Sequence, residues 1–191
     1  MRAGNLSFSN LASKCILTSG RYLFERGFAE ECMSFNKLGQ SICEQSENIS
    51  SEDVQYDLRE SHNNQSSAAA ETNDPATSLI HAKIWLNLML KRKSFDGRLM
   101  ENYELGIVYN ENGVAYAMNN MWEDAANCFI RSIEIIQGLP TYDDTMLGWP
   151  EPNLGIVYWI QGKWDDAERV LTEILKIHAD AYGFDDTKSF K

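Results

Sequence analysis

Internal repetition at a 42-residue offset is the feature that most limits what this 191-residue chain can fold into. The pentapeptide LGIVY occurs at 105–109 and again at 154–158, but aligning these two copies loses all resemblance soon after Tyr109. The 42-residue offset instead pairs Gly113 with Gly155, Tyr116 with Tyr158, Trp122 with Trp164, Asp124 with Asp166, Ala125 with Ala167 and Ile135 with Ile177. Conservative matches fill the intervals: Val114 with Ile156, Met118 with Ile160, Glu123 with Asp165, Phe129 with Leu171. Tyr142-Asp143-Asp144-Thr145 then pairs with Phe184-Asp185-Asp186-Thr187. The first LGIVY therefore lies one to two turns upstream of the repeat position on the same helix. A period of this length holds two amphipathic helices, neither able to bury its apolar face alone, so neighbouring copies must stack into one core.

Apolar residues fall at helical spacing, as in Ile130, Ile133 and Ile136 or Leu171, Ile174, Leu175 and Ile177, which makes the chain all-α. Helices are expected to pair as 8–26 with 29–46, 52–72 with 75–92, 97–119 with 122–137, and 150–161 with 164–182. Gly27, Asn120 and Gly162 stand at turns within these hairpins, where φ is positive and glycine or asparagine meets it with little strain. The acid pairs Glu30-Glu31, Glu123-Asp124 and Asp165-Asp166 follow those turns. Carboxylates in a first helical turn meet the positive end of the helix, and recurrence at one repeat position favours this role over metal or acid–base chemistry. Residues 46–53 and the stretch holding Pro140, Pro150 and Pro152 read as linkers.

Gly113-x-x-Tyr116 followed by Ala125 and Phe129, and Leu154-Gly155-x-x-Tyr158 followed by Ala167 and Leu171, give a G-x-x-Y…A-x-x-x-F signature. On these residues the chain resembles the tetratricopeptide superfamily, in the longer 42-residue form of kinesin-light-chain-like arrays also common in fungal and bacterial signalling proteins. The resemblance is strong from about 97 to 191. Upstream, Gly20, Gly27 and Cys32 mark a first hairpin, and Ser66 with Ala82 marks a degenerate second one. The resemblance implies a single array over 1–191, a right-handed α-α superhelix of about four hairpins whose first helices line a concave groove. Carried onto this sequence, the groove takes Arg21 and Phe24, then Asn63 with Ser67, then Asn110, Val114 and Ala117, then Ile156, Trp159 and Ile160, with Trp159 as the anchor. The clamp by which chaperone-binding members hold a terminal carboxylate is not reproduced, because Leu17, Ser67 and Glu111 stand where donors are needed.

The implied function is a non-enzymatic scaffold that holds a peptide or helix of a partner protein. The alternative is a detached C-terminal sensor segment of a multidomain signalling NTPase. Were Asp185-Asp186-Thr187 to repeat Asp143-Asp144-Thr145, the array would stop in mid-repeat, truncated at its C-terminal end. An apolar edge around Leu171, Ile174 and Tyr182 would then be open to self-association.

Charge and composition exclude other classes. Seventeen basic against 28 acidic residues give a net charge of −11, which repels nucleic acid and favours basic partners. The cluster Lys91-Arg92-Lys93 with Arg98 reads as complement to a helix C-terminus. No apolar run approaches the roughly 20 residues of a membrane span, since Ile84–Leu90 is broken by Asn87. Cys15, Cys32, Cys43 and Cys128 lack metal-binding or redox spacing and are expected as reduced core thiols of a cytoplasmic protein. Residues 1–24 have a presequence-like composition but run into the first hairpin.

Chemistry has little foothold. Gly155-IVYWIQ-Gly162-Lys163-Trp164 has the wrong spacing, and lacks the hydroxyl, of a phosphate loop. His62, His81 and His178 lack i, i+4 partners, and no serine sits in a nucleophile elbow. The sequence therefore predicts no catalytic residue, no metal and no cofactor.

Overall fold

A computed structural model describes residues 8–47, 49–92 and 102–182, apart from the side chains of 8–10, 177, 178 and 180–182. Lys93, Arg98, the side chains of Ile177, His178 and Tyr182, and Phe184 through Lys191 lie outside the described residues. Among those described, eight α-helices form four hairpins. They are α1 (Phe8–Glu25) with α2 (Ala29–Glu44), α3 (Glu52–Glu71) with α4 (Pro75–Leu90), α5 (Tyr103–Met118) with α6 (Trp122–Gln137), and α7 (Pro150–Ile160) with α8 (Trp164–Tyr182). The chain divides into two compact units, 1–93 with the first four helices and 94–191 with the last four.

Most helix ends fall where the sequence places them, and two departures have local causes. Helix α5 begins at Tyr103 rather than at 97, because Asn102 is extended (φ −150°, ψ 173°) and its side chain accepts the Leu105 amide at 3.0 Å, an N-cap; residues 97–101 are outside the described set. Between α6 and α7 a 3₁₀ turn, Asp144–Leu147, occupies the place of the first helical turn in the preceding repeat. Asp143 accepts the Thr145 amide at 2.9 Å and Leu147 is buried.

All four hairpins close with the same turn. Gly27 (φ 82°), Asn73 (φ 57°), Asn120 (φ 58°) and Gly162 (φ 73°) are left-handed, as expected for three of them; Asn73, in the degenerate hairpin, escaped the sequence reading. Each turn repeats one pair of bonds. The left-handed residue donates to a carbonyl three back, as Asn120 does to Ala117 at 2.9 Å, and the next residue donates five back, as Met121 does to Tyr116 at 3.0 Å. This is the Schellman arrangement, which satisfies carbonyls at the end of the first helix and fixes the angle at which the second returns.

A close approach at one register then locks each pair. A Cβ on Gly113 would stand 2.5 Å from the Phe129 ring, and one on Gly155 would stand 2.6 Å from Leu171. A Cβ on Gly20 would stand 2.5 Å from Asn36, at the same spacing within the first hairpin. In the second hairpin the size order is reversed: Ser66, whose hydroxyl donates to the Ser78 carbonyl at 3.0 Å, stands at the glycine position, and its counterpart is the fully buried Ala82. Small-with-large in three hairpins and medium-with-small in the fourth fill the same notch. The first LGIVY has its own task, since a Cβ on Gly106 would stand 2.6 Å from Ile136, two turns before the Gly113 notch.

The units differ in what fills the space between hairpins. In the C-terminal unit Ala125, Ala126, Phe129, Leu154 and Val157 form an apolar cluster that joins α6 to α7. In the N-terminal unit two smaller apolar clusters, Cys43 with Val54 and Leu58 and Ala29 with Cys32 and Ala68, share the space between α2 and α3 with buried amides and hydroxyls. Asn64 Nδ2 donates to Asn36 Oδ1 at 3.1 Å, Ser61 Oγ to the Asn36 carbonyl at 3.1 Å, and Gln65 Nε2 to Gln40 Oε1 at 3.0 Å. Cys32 and Cys43 are buried there, and burial pushes the Cys32 thiol up to about 11. The core-thiol expectation fails for Cys15, which is exposed. The expected open C-terminal edge also differs in its described part: Ile174 is buried, Leu171 is half-buried against Gly155, and Leu175 is the exposed residue.

Two stability predictions follow from the notch and from a buried histidine pair. Gly113→Ala should cost about 1–3 kcal/mol in urea denaturation because the Phe129 ring has no room to retreat. Gly113→Ser with Phe129→Ala, which copies the Ser66 and Ala82 solution, should cost less than the sum of its two single changes.

His62 Nδ1 and His81 Nδ1 lie 2.9 Å apart, so one ring donates and the other accepts. Burial, aided by His81, pushes His62 down to about 4 from its ordinary 6.5. A depressed histidine adds stability that is complete above pH 6.5 and is lost as pH falls toward 4, an effect of roughly 3 kcal/mol. Burial raises the Asp57 carboxyl, which works in the opposite direction. Melts of wild type and His62→Gln across this range isolate the histidine contribution, which the variant should lose.

Candidate functional site

First helices bear the candidate surface, and each unit carries its own part of it. In the N-terminal unit α1 and α3 enclose a cleft of about 400 Å³ whose lining includes Lys14, Arg21, Tyr22, Tyr56, Asp57 and Asn64. Charges of both signs meet there. Arg21 is exposed and its Nε donates to Glu25 at 3.1 Å, an i, i+4 pair. Asp57 is buried and accepts from Ser13 Oγ at 3.2 Å. Phe24 is half-buried against Ala29, Cys32 and Ala68, so much of its ring serves the hairpin core. Asn63 is half-buried; its neighbour Asn64 is the one that lines the cleft.

In the C-terminal unit α5, the 3₁₀ turn and the start of α7 form a cleft of about 280 Å³. Its walls include Tyr103, Ile107, Met146, Trp149 and Pro150, with Asn110 and Glu111 among them. Asn110, only 6% exposed, accepts from Asn153 Nδ2 at 3.0 Å and donates through its own Nδ2 to Glu111 Oε1 at 3.1 Å. A relay thus crosses from α7 to α5 and ends on a carboxylate. Burial pushes the Glu111 carboxyl above its ordinary range, and the Asn110 bond partly offsets this.

Further along α7, Ile156, Trp159 and Ile160 are exposed, Trp159 by 59%. Its ring meets that of Trp164 edge-on at 5.8 Å and 75°. Val114 and Ala117 are half-buried against the cluster of Phe129, Leu154 and Val157. The structure therefore brings Val114 and Ala117 to one packed layer, leaves Arg21, Ile156, Trp159 and Ile160 accessible, and buries Asn110 beneath the cleft.

Sequence reasoning missed Trp149, 74% exposed at the corner before α7, together with Tyr103, Ile107 and Met146. The i, i+4 series Tyr103, Ile107, Glu111 was the available signal; the 3₁₀ turn that brings Met146 and Trp149 opposite it was not.

Other candidate chemistry resolves into structural roles. Gly155 is buried within α7 against Leu171, whereas Gly162 closes a turn, so the two glycines do not share a loop. The Lys163 ammonium lies 5.4 Å over the Tyr158 ring and 3.9 Å from Glu123. Among the described residues, no group of three or more His, Cys, Asp or Glu side chains could hold a metal ion, and no helix is long and apolar enough to cross a membrane.

The hairpins, their shared turn and their notch define an all-α fold of the tetratricopeptide-like solenoid class. Solved structures of that class are similar to this chain. A crystal structure of BtubC (BKLC) from P. vanneervenii matches at TM-score 0.78 and 20% identity, over 95% of this chain and 68% of that one. A crystal structure of Podosopora anserina "kinesin light chain nearly identical TPR-like repeats" matches at TM-score 0.70 and 13% identity, over 92% of this chain and 78% of that one. A variant of the latter gives the same figures. No protein-family model matches the sequence, and no curated protein is significantly similar to it. The kinesin-light-chain-like resemblance read from the sequence thus holds at the level of the fold.

Exposure separates surface tryptophan from core. Trp159→Ala should leave helicity intact and cost about 1 kcal/mol or less, the worth of an exposed edge-to-face pair. Phe129→Ala should cost about 3–5 kcal/mol. Circular dichroism melts of the two variants make the comparison; unfolding of Trp159→Ala would place that residue in the core.

Proposed function

We propose that this chain is a non-enzymatic interaction scaffold that holds a peptide or helix of a partner protein against the first helices of its hairpins. The observation that carries this reading is the concentration of exposed large apolar side chains on and beside α7, namely Trp149, Ile156, Trp159, Ile160 and Trp164. Exposed aromatic residues grouped on rigid helices are what binding surfaces use, because they bring large contact area at small entropic cost. The groove extends in this proposal to Arg21, Phe24, Asn63, Asn110, Val114 and Ala117, and the whole of 1–191 works as one array in the cytoplasm. Rigid hairpins supply pre-organisation, so that a flexible ligand bears most of the ordering cost.

Affinity capture from cell extract followed by mass spectrometry, then calorimetric titration of the captured segment, tests the proposal. Trp159→Ala and Arg21→Glu serve as controls. Binding should weaken about tenfold or more for Trp159→Ala with the fold unchanged. Equal binding by both variants would place the contact elsewhere and remove the proposed groove. A turnover assay with ATP bears on the enzyme question: hydrolysis lost on changing Lys163 would overturn the non-enzymatic reading.

A further inference from the structure

The cleft between α5 and α7 has a composition that selects among ligands. Its volume, about 280 Å³, is at the lower bound of small-molecule sites, so it suits a single side chain rather than a folded element. Among its lining residues Glu111 alone is charged. The polar partner of that carboxylate is the neutral Asn110, which holds Oε1 and leaves Oε2 able to accept. Among the described residues, burial and the Asn110 bond are what act on this carboxylate. The walls are aromatic and aliphatic, Tyr103 and Trp149 with Ile107 and Met146, surfaces along which the stem of a long cationic side chain lies favourably and over which its charge is attracted. Next in sequence to the lining residue Pro150, Glu151 is raised by burial and by its acidic neighbours Glu173 and Asp144, so like charges crowd together there. Over the whole chain the net charge is −11.

We infer that this cleft is a specificity pocket for an arginine or lysine side chain, so that the segment held on this face is a basic peptide whose cation pairs with Glu111. The inference rests on the scaffold reading and narrows it to a ligand chemistry. A guanidinium or ammonium N–H would donate to Oε2 while Asn110 retains Oε1, and the Asn153–Asn110 bond keeps the carboxylate from turning away. Glu111 thereby does the reverse of a carboxylate clamp, since an acceptor stands where a donor would hold an acidic terminus.

The test is selection of short random peptides displayed on phage against the full chain, followed by anisotropy titration of the enriched sequences. The inference expects an arginine or lysine among apolar neighbours in those sequences. Replacing it with citrulline or norleucine should weaken binding about tenfold, Glu111→Gln should do the same, and the two changes together should weaken it little further. Trp149→Ala, at a position 74% exposed, should also weaken binding while leaving the melt unchanged. Enriched peptides with no basic position, or equal binding to Glu111→Gln, would overturn the inference and leave the scaffold reading standing. If no peptide enriches, both fall. The citrulline arm alters only the peptide, so it decides the question even if a protein variant misfolds.

Discussion

The close approach of two helix backbones at a single register is the contact on which the hairpins depend. Where Gly113 faces Phe129 and Gly155 faces Leu171, the absent Cβ lets a buried side chain sit directly on the first helix. Burying a residue such as Phe129 contributes roughly 2–3 kcal/mol, and its shape admits little sliding of one helix along the other. Together with the Schellman turn seven residues after the notch, this leaves the second helix one return path. The faces of the first helices are then held in place by packing on their opposite side, and a binding surface needs that rigidity.

The two units meet the same geometric demand with different chemistry. The C-terminal unit joins its hairpins through an apolar cluster that tolerates modest repacking. The N-terminal unit adds to its small apolar clusters a polar network of Asn36, Ser61, Asn64, Gln65 and Gln40, in which the Gln65 amide nitrogen is bonded and its buried Oε1 is not. Such networks are directional, and losing one partner leaves another buried without a bond, so this half gains specificity where the other gains tolerance. The pair His62 and His81, which links α3 to α4, ties the stability of this half to acid.

Electrostatics distinguish the two clefts. In the N-terminal unit Lys14 and Arg21 share the lining with Asp57 and Glu60, so the field there is mixed. In the C-terminal unit one carboxylate stands among aromatic and aliphatic walls. A partly desolvated charge among such walls is costly to maintain, and it discriminates strongly between ligands that neutralise it and ligands that do not.

Local chemistry made much of the fold legible before any coordinates. Helical spacing, the glycine and asparagine turns, and the acid pairs after them all depend on contacts within a few residues, and these elements lie where the sequence puts them. The 42-residue period was legible only where notches pair glycine with a bulky apolar residue. In the first half Asn36 takes that place, and Ser66 with Ala82 reverses the sizes, so apolar matching fades although the register persists. Of the site, α7 was visible because Ile156, Trp159 and Ile160 follow helical spacing past the repeat glycine. The cleft was not, because Met146 and Trp149 reach Tyr103 and Glu111 only through a 3₁₀ turn that Asp143 and the buried Leu147 hold in place. The sequence by itself determined the helices, their turns and the notch register, which are set by neighbours along the chain. Tertiary structure alone decided which of those side chains are spent on packing and which remain exposed, because burial depends on what lies across the interface.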